Sequence, residues 1–123
     1  MNKRIKKWIL VLLWVTLIFV LSHQPELKSD LPSGWDFFLR KLAHISEYAI
    51  LTLLLIGALK EHGLSRKKIL FLAIGLSFLY ALSDEYHQSF ISGRDGAFQD
   101  VLIDTFGIFL AAWLKNKKMI KYN

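Results

Sequence analysis

Residues Trp8–Leu21 read WILVLLWVTLIFVL, and residues Ile69–Leu82 read ILFLAIGLSFLYAL. Thr16 is the one polar side chain of the first stretch, and neither keeps a hydrophilic face when wound as a helix. A helix that is apolar all round is a buried helix or a membrane span. Two of them cannot both sit at the centre of a soluble bundle of 123 residues. Leu42–Leu59 and Val101–Leu114 are similarly apolar, and the four stretches together make up about half the chain. A bare run such as Trp8–Leu21 rises only about 21 Å as a helix, against roughly 30 Å of hydrocarbon. Flanking lysines that snorkel and interfacial Trp and Tyr close that gap. Trp8 and Trp113 stand at one end of their stretches, and Tyr86 lies just past the other end of its own. The reading is an all-α polytopic membrane protein, a single domain over 1–123. Four transmembrane helices are expected near 5–22, 40–60, 67–88 and 99–115.

Composition agrees and excludes other classes. The chain is 54% hydrophobic and 21% charged, where soluble domains average about 45–50% and about 25%. Its hydrophobicity excludes a disordered chain. The absence of cysteine removes disulfides, thiolate metal sites and cysteine nucleophiles together. The net charge of +6 is set out as a topology signal rather than a nucleic-acid surface. Lys3, Arg4, Lys6 and Lys7 precede the first stretch, and Lys60, Arg66, Lys67 and Lys68 lie between the second and third. Lys115, Lys117, Lys118 and Lys121 follow the fourth, leaving Lys28, Arg40, Lys41 and Arg94 for the other side. The positive-inside rule then places both termini in the cytoplasm, and no nucleic-acid partner is expected. The first stretch lacks a small-residue cleavage site before Leu21-Ser22-His23-Gln24-Pro25, so an uncleaved helix is expected. Ser22–Gly34, with Pro25, Pro32 and Gly34, reads as an external turn-rich loop.

Acidic residues follow the opposite pattern, with only Glu61 on the cytoplasmic side. The start of the second helix, the end of the third and the start of the fourth then meet at the outer face. Lys41, His44, Glu47, Tyr48 and Leu51 recur at helical spacing on the second. Tyr80, Asp84, His87 and Gln88 do so on the third, with Glu85 on a neighbouring stripe. Asp100, Asp104 and Gly107 form a row on the fourth. An ionisable group just inside a bilayer costs roughly 2.5–3.5 kcal/mol unless paired or hydrated, so these side chains are expected to face one another. A polar zipper that fixes helix packing is the plain alternative.

The connection Ser89–Gln99 holds Ser92-Gly93-Arg94-Asp95-Gly96. Arg94 offers a planar fork for phosphate or carboxylate, or an internal partner for Asp84, Asp100 or Asp104. Lys41, Arg94 and the positive ends of two helices suit an anionic headgroup. His44-x-x-Glu47 and Asp84-x-x-His87 have the form of bundle metal ligands, but such pairs are frequent by chance, and no metal or other cofactor is assigned.

Taken in order, these residues resemble the VanZ-like family of bacterial membrane proteins, named for a teicoplanin-resistance factor. The carrying stretches are Ser22-His23-Gln24-Pro25, Lys41-x-x-His44-x-x-Glu47-Tyr48-Ala49, Asp84-Glu85-x-His87-Gln88-x-Phe90, Gly93-Arg94 and Asp100-Val101-Leu102-Ile103-Asp104-Thr105-Phe106-Gly107. Two departures stand out: Ser92 replaces the proline common before Gly-Arg, and Asp104 replaces a frequent asparagine. The resemblance implies a multi-pass protein of the bacterial cytoplasmic membrane that acts on the cell envelope and lowers susceptibility to teicoplanin-type glycopeptides. Its expected partner is membrane lipid, in particular an anionic lipid or cell-wall precursor. The ligand set is then Lys41, His44, Glu47, Tyr48, Asp84, Glu85, His87, Gln88, Arg94, Asp100 and Asp104. One alternative is a membrane-embedded hydrolase or transferase, with His44, Glu47, Asp84 and His87 as candidate acids and bases. Another is a structural partner in an envelope complex, docking through Trp35, Phe37 and Phe38.

Overall fold

The computed structural model describes residues 2–23, 33–90 and 98–122. It is all-α among those residues: α1 (Lys3–His23), α2 (Ser33–Leu59), α3 (Arg66–Gln88) and α4 (Phe98–Tyr122), with a single 3₁₀ turn, Lys60–His62, after α2. Gly63 ends that turn at φ 68°, in the left-handed region that glycine enters without a Cβ penalty. Ser65 then caps α3, its hydroxyl accepting from the Lys68 N–H, which satisfies one orphan donor of the first turn. The chain runs up and down, so α2 and α4 are parallel. Both helices pack against α3 and against each other, and α1 packs into the groove between α2 and α3.

The closest approach is between α2 and α4. A Cβ placed on Gly107 would lie 3.1 Å from the carbonyl carbon of Ile45 and nearer still to its oxygen. Glycine is what lets the two backbones meet there. Around this crossing the core is built from Tyr48, Leu51, Leu55, Ile56, Ala73, Ala81 and Ile108.

Outer surfaces are apolar. Among the described side chains of α1, Val11 and Ile18 are the buried ones, seven residues apart on one stripe, while Leu12 and Leu13 are 63% and 62% exposed. Phe71, Leu79, Phe106 and Phe109 do the same on α3 and α4. Apolar surface of this extent is stable only against another protein or lipid. Among the described residues, two helical segments are long and apolar enough to cross a membrane: Gly34–His62 and Arg66–Gln88.

Two bounds differ from the sequence reading. The second helix begins at Ser33 rather than near 40, because Asp36 opens it with an i,i+4 ion pair to Arg40 at 3.0 Å and its charge suits a helix N-terminus. The fourth runs to Tyr122 rather than 115, since the lysine-rich tail contains no breaker and its straight-chain residues are good helix formers.

One end of the bundle is basic. There Lys7 Nζ donates to Glu61 Oε1 at 2.8 Å, and Arg4 donates to the Glu61 carbonyl at 3.2 Å. Trp8 Nε1 reaches His62 Nε2 at 2.8 Å, so α1 is fastened to the turn after α2. Arg66 bonds Asn116 and links α3 to α4 at the same end. The opposite end carries the acids.

Candidate functional site

The acidic end is built on α2, which meets a different partner at each turn. Lys41 Nζ pairs with Asp100 of α4 and also lies 5.1 Å from the Phe37 ring. One turn further in, His44 Nδ1 is 3.3 Å from Asp104 Oδ1, a carboxylate whose residue is 1% exposed. The next turn switches helix: the fully buried Tyr48 donates its hydroxyl to Asp84 Oδ2 of α3 at 2.9 Å. Gln88 Nε2 donates to that same oxygen at 3.4 Å. Thr52 completes the line, its hydroxyl bonding Ser77 of α3 at 3.0 Å and the Tyr48 carbonyl at 2.8 Å. From Lys41 to Thr52 the seam descends about 16 Å at 1.5 Å per residue.

Physical reasons for this order are plain. A buried charge is costly unless a partner and further hydrogen bonds compensate it. The ionisable pairs therefore stand nearest the helix ends, and the deepest rung uses two neutral hydroxyls. Lys41 and Asp100 keep some contact with solvent, their side chains being 24% and 13% exposed. Glu47 and Asp100 add longer-range negative charge to that of Asp104 at His44.

The remaining candidates flank the seam. Glu47 is half-buried, and its carbonyl accepts the Trp14 indole N–H of α1 at 2.9 Å. His87 stacks on Phe19 of α1, ring centroids 4.9 Å apart and planes 24° from parallel. Glu85 is buried on α3 beside Asp84. Arg94 falls outside the described residues. Among the described residues no three His, Asp or Glu side chains are grouped to hold a metal ion: Asp84 is engaged by Tyr48 and Gln88, and His44 faces Asp104.

Four contributors escaped the sequence reading. Trp14, Thr52 and Ser77 were absent from it as partners, as was the bond from the Tyr80 hydroxyl to the Val15 carbonyl at 2.8 Å. Spacing holds the signal for two of them. Thr52 is one turn from Tyr48, and Ser77 lies two turns before Asp84 on the buried stripe Ser77, Ala81, Asp84, Gln88.

An all-helical bundle with apolar outer faces, two helices able to cross a bilayer and its polar groups drawn inward belongs to the class of integral membrane proteins. The chain belongs to the VanZ/LLP1 family, whose model matches residues 7–116 and so includes every residue of the seam. Comparison with curated proteins and with solved structures gives no match.

Proposed function

We propose that this is a four-span protein of the bacterial cytoplasmic membrane, with both termini inside, that holds an anionic lipid or lipid-linked cell-wall precursor at the outer leaflet. Family membership supports an envelope role. At 21 and 25 residues, α1 and α4 are long enough for roughly 30 Å of hydrocarbon. Lysines and arginines crowd the end assigned to the cytoplasm.

The observation that carries the reading is the stacking of two cationic or protonatable groups, Lys41 and His44, on carboxylates of a parallel helix at the opposite end. Such pairs are exchangeable. A phosphate reaching that end competes with Asp100 for the Lys41 ammonium, and the N-termini of α2 and α4 add positive partial charge. Arg94, by its sequence position between α3 and α4, supplies a second arm. The expected consequence is lowered susceptibility to teicoplanin-type glycopeptides, which act outside the membrane.

The test is expression in a glycopeptide-susceptible bacterium, comparing the wild type with Lys41→Ala and Arg94→Ala. Inhibitory concentration and membrane abundance are measured together. Both variants should lose protection at unchanged abundance. Protection that survives both, or that falls only in step with abundance, refutes the ligand reading and leaves a packing role.

One feature favours a second reading. His44 Nδ1, 3.3 Å from the carboxylate of the buried Asp104, stands where a carboxylate could orient an imidazole, as a general base requires. Turnover of a polyprenyl-phosphate substrate by the purified protein, abolished in His44→Ala, would establish that membrane-embedded hydrolase or transferase.

A further inference from the structure

A separate feature lies between α2 and α4, toward the basic end. A groove of about 470 Å³ opens there, its walls formed by Leu53 with Leu110 and Leu114 and its floor by Ala49 and Ala111. Lys115 and Lys118 line its polar end. Lys117 lines it too but places its ammonium over the Trp113 ring, 4.4 Å from the centroid. Like charge accumulates at this rim: Lys60, Lys118 and Lys7 all act on Lys115. Lys7 is answered by Glu61, whereas Lys60, Lys115 and Lys118 have no acidic partner among the described residues.

We propose that this groove binds one acyl chain of an anionic phospholipid from the leaflet at the basic end, with the lipid phosphate between Lys115 and Lys118. The shape argues for a chain, since the walls are apolar side chains of two parallel helices and the opening faces outward. The charge argues for an acidic headgroup, because a concentration of ammonium groups without counter-charge is relieved by an anion at the mouth. Basic pockets between membrane helices on the cytoplasmic side bind acidic headgroups for the same reason. A zwitterionic lipid fills the groove equally well but leaves the lysines unneutralised. The site uses none of the polar seam and stands at the other end of the same helix pair.

The test uses the full chain purified in a nonionic detergent. Retained lipid is measured by native mass spectrometry after equilibration with phosphatidylglycerol or with phosphatidylcholine of the same chains. Wild type should retain the anionic lipid selectively. Lys115→Ser with Lys118→Ser should weaken that retention by roughly 30-fold, one lysine near an anionic surface being worth about a fivefold factor. Ala49→Phe, which fills the floor, should reduce retention of both lipids, with helicity by circular dichroism unchanged. Equal retention of the two lipids by wild type overturns the proposal. So does selectivity that survives the double lysine variant, displacement of the lipid by glycerol phosphate alone at equal concentration, or a groove found covered by a second copy of the chain.

Discussion

Replacing Gly107 by alanine puts the α2–α4 crossing to a direct test. The added Cβ would sit 3.1 and 3.2 Å from the carbonyl and α carbons of Ile45, and closer to its oxygen. Those are backbone atoms in the middle of a helix, so no rotamer change relieves the clash and the helices must part. Overpacking of this kind costs about 1–3 kcal/mol. Gly75, in the interior of α3, has nothing within 4 Å of the same added atom. There alanine should stabilise by about 0.5–1 kcal/mol through helix propensity alone. The paired variants therefore share one chemical change and differ only in what the methyl meets. Thermal unfolding in detergent, followed by circular dichroism at 222 nm, should place Gly107→Ala below the wild type and Gly75→Ala at or above it. Equal midpoints for the two variants would refute the close approach, and with it the geometry that lets Lys41 and His44 reach α4.

Tyr48→Phe removes the stronger of two donors to Asp84 and should cost about 1–3 kcal/mol, the range for a buried acceptor left underserved; chemical unfolding in mixed micelles reads it. Thr52→Val keeps the shape while deleting the bond to Ser77. It should cost about 0.6 kcal/mol, a typical value between membrane helices, and Thr52→Val with Ser77→Ala should cost little more than either change alone in a double-mutant cycle.

The side-chain chemistry of the seam was readable, but its pairing was not. Helical spacing put Lys41, His44 and Tyr48 on one side of α2, yet spacing alone does not say that the first two turn to α4 and the third to α3. That division depends on the small angle between successive turns and on where Gly107 lets α4 come close. Thr52 shows the other limit. Thr16, Ser46 and Thr105 each bond the carbonyl four residues back, as such side chains do to shelter a hydroxyl in an apolar helix. Thr52 does so too, and only its second bond to Ser77 sets it apart. A single sequence presents all four alike. The early start of α2 was hidden for a different reason: Trp35, Phe37, Phe38 and Leu39 are exposed apolar residues that follow no buried periodicity, and the Asp36–Arg40 pair is the feature that marks them as helical.

Because each rung along α2 joins a different pair of functional groups, the seam works as a keyed register. Sliding α2 by one turn, about 5.4 Å, would set an amine, an imidazole, a phenol and an alcohol each against a mate chosen for another. Piston-like travel along the bundle axis is thereby blocked, whereas pivoting about Gly107 stretches only the outermost ammonium–carboxylate pair. Relative motion of α2 and α4 that preserves the inner pairs is therefore confined to tilt about that crossing.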